Sequence, residues 1–218
     1  MDVLAEQRDY YRHRAPEYDQ WWQRQGQYSL DPEAEKSWFA DIAEVEQALD
    51  QFAPAGDVLE YAAGTGWWTE RLTRHARHVT AVDANAETLQ INRRRASGNV
   101  TYLTADIFAW TPPEAAFDTV FFAYWLSHVP ENLLLTFWGN VRRALRPGGR
   151  VFLIDSYHHE RLPGDLQQRR LNDGRQFQVI KRYWQPAELE ATLGWRLKAK
   201  ITTNRQIIHA YGTPALDE

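Results

Sequence analysis

Apolar side chains at Trp38, Phe39, Ile42, Val45, Leu49 and Phe52 recur at helical spacing and stop before Pro54. Asp31 followed by Pro32 supplies an N-cap and a proline at the first helical position, which predicts an amphipathic helix from Pro32 onward. The period then shortens. Compact apolar runs at residues 57–61, 79–83, 100–103, 119–122 and 150–154 read as strands, and helical patterns at 69–77, 86–95 and 133–145 fall between them. Near-continuous apolar strands alternating with helices are what a parallel sheet covered on both faces requires. After Asp155 the pattern changes. Asn172-Asp173-Gly174 stands between two strand-like runs, predicting a tight hairpin over residues 168–183. A helix at 186–193 and strands at 195–202 and 206–211 complete the pattern. The expectation is one α/β domain over residues 1–218: cap helices at 1–53, a core at 55–156, and a cover hairpin with final strands at 157–218.

Composition narrows the chemistry. The chain has 218 residues, a net charge of −4, no cysteine and 13% aromatic residues. Absence of cysteine removes disulfides, thiol catalysis and thiolate metal sites, and no His/Asp/Glu group stands at ligand spacing, so no metal is expected. A mildly acidic chain without a basic run argues against nucleic acid as partner. No apolar run reaches membrane-spanning length, and the acidic, polar start reads as no secretory signal, so a cytoplasmic protein without membrane contact is expected.

The segment Glu60-Tyr61-Ala62-Ala63-Gly64-Thr65-Gly66-Trp67-Trp68-Thr69 lies where the first core strand hands over to a helix. Ligands of open parallel sheets bind at such carboxyl ends, where small residues admit close backbone approach. Asp83 ends the second strand, Asp106 follows the third, and Pro147-Gly148-Gly149 introduces the fifth. Glu60, Ala62, Gly64 and Gly66, with those acids and with Leu126-Ser127-His128-Val129-Pro130 after the fourth strand, resemble the class I S-adenosylmethionine-dependent methyltransferases over about residues 55–156. Ala62 stands where glycine is commoner in that family.

The resemblance implies a doubly wound, Rossmann-like, mostly parallel seven-stranded sheet with a helical N-terminal cap, and S-adenosylmethionine as cofactor with S-adenosylhomocysteine as product. It implies cofactor contacts from the loop (Glu60, Ala62, Gly64, Thr65, Gly66, Trp68), from Asp83 and Ala84 at the ribose, from Asp106 and Ile107 near the adenine, and from Ala123. Tyr11, Arg14 and Tyr18 extend it as a cap over the cofactor, with Arg14 a candidate for the methionine carboxylate. A nicotinamide-dependent oxidoreductase is the rival, but its pyrophosphate loop needs a third small residue where Thr69 stands, behind the bulky Trp67 and Trp68. A non-catalytic binding protein of the same fold is the other alternative.

The aromatic residues read either as core or as a lid that excludes water from the sulfonium, and a lid suggests a small, aromatic or apolar metabolite as methyl acceptor. His128 is the candidate base or orienting partner, expected to titrate near 6.5, with Tyr124, Trp125 and His158 shaping the substrate pocket and His159 beside them.

Overall fold

Valine, isoleucine and phenylalanine dominate the strands that form the centre of the sheet, and they are buried because helices cover both faces. The structure, a computed structural model, describes residues 2–158 and 165–215. The strands are β1 (Asp57–Tyr61), β2 (His78–Asp83), β3 (Val100–Thr104), β4 (Phe117–Ala123), β5 (Leu145–Ser156), β6 (Leu166–Arg170), β7 (Gln176–Ile180), β8 (Trp195–Ile201) and β9 (Ile207–Pro214). Seven of them form one sheet in the order β3-β2-β1-β4-β5-β9-β8, while β6 and β7 pair separately. The first five strands are parallel, and β9 runs antiparallel between β5 and β8. The order reverses between β1 and β4, the point at which a doubly wound sheet opens its ligand crevice.

The helices are α1 (Val3–Arg14), α2 (Tyr18–Trp22), α3 (Pro32–Phe52), α4 (Trp67–Leu72), α5 (Ala86–Arg95), α6 (Glu131–Ala144) and α7 (Pro186–Glu190). α3 starts as expected, with the Asp31 carboxylate accepting from the Ala34 N–H at 2.9 Å. α4 is shorter than the pattern suggested. Past Leu72 the bonds tighten, Arg74 N–H donating to the Arg71 carbonyl and His75 N–H to the Leu72 carbonyl, each at 3.1 Å. β5 is longer than its apolar run, since Leu145 pairs with Phe117 before the register shifts across Pro147-Gly148-Gly149.

The hairpin is tight, as expected: Leu171 N–H donates to the Arg175 carbonyl and Gly174 N–H to the Leu171 carbonyl, each at 3.0 Å, so Asn172-Asp173-Gly174 makes the turn. Gly174 takes the left-handed position of that turn at φ +92°, and Leu171 at its base packs with Tyr10, Phe177 and Val179. The outer edge of β7 is covered by α1: Glu6 and Gln7 side chains accept from the N–H groups of Gln178 and Ile180 at 2.7 and 3.0 Å. An exposed edge is thereby closed and the hairpin is tied to the N-terminal helix. Several tryptophans go to core packing. Trp22 stacks on Trp67 with planes 4° apart and meets Trp68 edge-on, and Trp184 packs in the other main cluster. Among the described residues no helix is long and apolar enough to cross a membrane.

Candidate functional site

The loop from Ala62 to Gly66 runs through three left-handed residues: Ala62 at φ +51°, Gly64 at +56° and Gly66 at +91°. Gly66 is dictated by packing, because a Cβ there would stand 2.6 Å from Asn92 Oδ1 on α5. Gly64 is different. The nearest atom to an added Cβ is the Ala62 carbonyl at 3.8 Å, so a side chain would find open space in the cavity that Gly64 lines. Ala62 adopts a conformation that costs an L residue roughly 1–2 kcal/mol.

That cavity, of about 1000 Å³ including its open mouth, lies at the carboxyl ends of β1 to β4. Asp83 forms its inner wall. One carboxylate oxygen accepts from Gly64 N–H at 3.0 Å and the other from Asn85 N–H at 2.9 Å. An ionised carboxylate has about four acceptor positions, so two stay open for a diol. Burial pushes the Asp83 pKa above its ordinary value, and the backbone donors oppose that shift. Ile107, Phe108 and Trp125 make an apolar slot, with Phe108 and Trp125 rings 5.2 Å apart. Asp106 accepts from Phe108 N–H and forms an ion pair with Arg8 of α1, which brings the N-terminal helix across the opening.

Of the expected cofactor residues, Tyr11, Tyr18, Ala62, Gly64, Asp83, Ala84, Asp106, Ile107 and Ala123 line this cavity, with Tyr124, Trp125 and His128 beside them. Glu60 is instead sealed behind the loop, 2% exposed, accepting from the Thr69 hydroxyl at 2.6 Å. Burial raises its pKa to about 8, so it is mostly protonated at neutral pH. Thr65 donates to Asp19 at 2.7 Å and its carbonyl accepts from Arg95 at 3.0 Å, so it anchors the loop to α2 and α5. Trp68 packs into the core against Phe121. His158 lines neither this cavity nor its neighbour; its ring lies 5.3 Å from Tyr183. His159 lies outside the described residues.

Arg14 also departs from expectation. It lines a second chamber, of about 710 Å³ including its open mouth, with Tyr10, Tyr28, Arg169, Lys181 and Tyr183. Tyr11, Tyr18, Tyr124 and His128 line both chambers and so form the wall between them. Tyr124 begins the loop after β4 at φ +53°, a strained value for a bulky residue. Its ring meets Trp21 edge-on at 4.9 Å. The Nδ1–H of His128 donates to the Ile180 carbonyl, which leaves Nε2 to accept from the Tyr11 hydroxyl at 2.8 Å. Burial, with the Lys181 ammonium next, holds the His128 pKa well below 6.5, so the expected titration near 6.5 is not present.

The residues that fix this wall were not singled out in the sequence. Gln7 bridges the His128 carbonyl, at 3.2 Å, to β7. Lys181, deeply buried, reaches Ser127 Oγ at 2.8 Å, Asp155 Oδ1 at 3.0 Å and Ser156 Oγ at 3.1 Å, while Asp155 Oδ2 accepts from Ser127 N–H. One signal was available: Leu4, Gln7, Tyr11, Ala15 and Tyr18 follow a helical face.

Comparison with known proteins agrees with this geometry. A family profile described as a methyltransferase domain matches residues 58–149. Two solved structures of a protein named DhpI, one a complex with SAM and HEP and one with SAH, are each 35% identical to the chain. They cover 97% and 99% of it and 98% of their own chains, with TM-scores of 0.83 and 0.80. The chain belongs to the class I S-adenosylmethionine-dependent methyltransferases. Among curated relatives, an uncharacterized methyltransferase of Mycobacterium tuberculosis is 31% identical over 55% of the chain and 61% of its own length. A ubiquinone/menaquinone biosynthesis C-methyltransferase of Erwinia tasmaniensis is 32% identical over 45% of the chain and 41% of its own length. The match thus spans less than two thirds of these relatives.

The methyltransferase cofactor fits the first cavity. Asp83 keeps two acceptor positions for the ribose diol, the Gly64 cradle would be filled by any Cβ, and the Ile107–Phe108–Trp125 slot suits a planar base. S-adenosylmethionine supplies an electrophilic methyl group on a sulfonium when bound there.

Proposed function

We propose that this methyltransferase acts on a small molecule seated in the second chamber, and that acceptor and methyl group meet at the wall of Tyr11, Tyr18, Tyr124 and His128. The observation that carries the reading is that these four side chains face both chambers. Transfer across that wall is an in-line displacement for which the protein mainly aligns the partners and excludes water. The printed names of relatives point the same way, since a phosphoethanolamine N-methyltransferase of Triticum aestivum and the ubiquinone/menaquinone enzyme act on small molecules. The polar lining of the chamber argues for a polar acceptor over an apolar one.

His128 is assigned here as an orienting partner. A group with a pKa well below 6.5 is a weak base at neutral pH, but its neutral Nε2 fixes the direction of the Tyr11 hydroxyl. The test is transfer of labelled methyl from S-adenosylmethionine to a panel of small acids, phosphate esters, phenols and amines, followed by His128→Ala on the acceptor found. The variant should lose less than about tenfold in turnover, and the wild-type rate should show no inflection near pH 6.5. A loss of about 10³-fold, with an inflection that vanishes in the variant, would establish general-base catalysis instead.

A further inference from the structure

Arg14 is 8% exposed, its Nε has no hydrogen-bond partner, and no carboxylate among the described residues pairs with it. Its guanidinium is packed among aromatic rings, 4.8 Å from the centroid of Tyr18, 5.4 Å from Tyr28 and 5.5 Å from Tyr10. Two other cations nearby do have acids. Lys181 is paired with Asp155, and Arg95 with Asp19. Withdrawing a guanidinium from water without a counter-ion is costly, and cation–π contacts offset only part of it.

The chamber around Arg14 has the matching character. Arg169 enters it from β6, no Asp or Glu lines it, and the buried Asp155 carboxylate is already held by Lys181. Tyr10, Tyr18 and Tyr28 have no hydrogen-bond partner for their hydroxyls among the described residues. Burial raises the pKa of Tyr10 and pushes Tyr18 up to about 12, so both stay protonated as donors. A chamber with an unpaired guanidinium, a second arginine and spare phenol donors lacks one thing, a small acceptor of hydrogen bonds with negative charge.

We infer that the second chamber is an oxyanion site, in which Arg14, with Arg169, grips the carboxylate or phosphate-type head of the methyl acceptor. The planar fork of arginine matches both head groups. This rests on the reading that the acceptor occupies that chamber, and it identifies the acceptor's chemical class.

The experiment uses the full chain saturated with S-adenosylhomocysteine. Calorimetric titrations with inorganic phosphate, acetate and neutral acetamide are made at matched chloride. Saturable 1:1 binding of phosphate, of acetate or of both supports the oxyanion site, and the arm that binds identifies the head group; acetamide should not bind. Arg14→Gln should weaken that binding at least tenfold, and Arg14→Lys should restore part of it. Affinity for S-adenosylhomocysteine in Arg14→Gln should stay within threefold of wild type. Arg169→Gln, at a half-buried position, should weaken anion binding too, which keeps the test open if Arg14→Gln does not fold. Wild-type affinity for S-adenosylhomocysteine with no saturable anion binding would overturn the oxyanion site alone. Loss of S-adenosylhomocysteine binding in Arg14→Gln with phosphate binding intact would also overturn it, placing Arg14 on the cofactor's carboxylate. Failure of the wild type to bind S-adenosylhomocysteine would overturn the methyl-transfer reading itself.

Discussion

Replacing Glu60 by Gln should flatten one arm of the protein's stability-versus-pH curve. Glu60 sits behind the cofactor loop with a threonine hydroxyl as its hydrogen-bond donor, and burial lifts its pKa from the usual 4.5 to about 8. The folded state therefore holds a proton that the unfolded chain releases above 4.5. A raised pKa means that stability is greatest below the unfolded value and is lost as pH climbs toward about 8. Each pH unit between the two values corresponds to about 1.36 kcal/mol, giving a ceiling of about 5 kcal/mol and a loss of about 4 kcal/mol between pH 5 and pH 9. Glutamine is nearly isosteric with the protonated acid and can still accept from Thr69. Glu60→Gln should match wild type within about 1 kcal/mol at pH 5 and exceed it by about 4–5 kcal/mol at pH 9. His128 and His209 act oppositely. Burial lowers both, His209 to about 4, so their contribution is present above 6.5 and is lost as pH falls. The wild-type curve is thus a composite, and the difference between wild type and variant isolates Glu60. Urea unfolding followed by tryptophan fluorescence at pH 5, 7 and 9 measures that difference. Parallel curves for the two proteins would show that Glu60 is ionised in the folded state and that the burial argument is wrong.

Asp83→Ala should weaken S-adenosylhomocysteine binding at least tenfold by calorimetry, because hydrogen bonds to a charged group are worth roughly 1.5–3 kcal/mol each and the Gly64 and Asn85 N–H groups also lose their acceptor. Gly64→Val should abolish the same binding by placing a branched side chain in the cofactor cavity in left-handed backbone, while circular dichroism stays native. Lys181→Met leaves Asp155 buried without its cation, which should cost about 3–5 kcal/mol, or a melting temperature lower by about 6–20 °C. Adding Asp155→Asn should restore part of that loss.

The order of strands and helices and the position of the cofactor loop were legible in the sequence, because they rest on local rules. Periodicity set β1, α3 and α5 nearly to the residue, and left-handed backbone at Gly64 and Gly66 needs residues that tolerate it. Asp83 ends β2 as the pattern indicated, at the carboxyl edge of the sheet where ligands of doubly wound folds bind. The end of α4 was not legible: past Leu72 the N–H groups of Arg74 and His75 bond three residues back, which closes the helix short of its apolar pattern.

Only the tertiary structure decided the second chamber. Its charge comes from Arg14 on α1, Arg169 on β6 and Lys181 after β7, segments more than 150 residues apart in chain order at the extremes, and no local signal links them. Burial, too, is a property of the assembled molecule. It turns Glu60 into a neutral acid behind the loop and His128 into a neutral partner of Tyr11 instead of a base titrating near 6.5. It also leaves Arg14 among tyrosine rings with no carboxylate partner among the described residues. Residue type and spacing fix which backbone conformations and faces a segment can adopt, whereas desolvation and pairing depend on which distant segments converge on a group, and that is settled by packing.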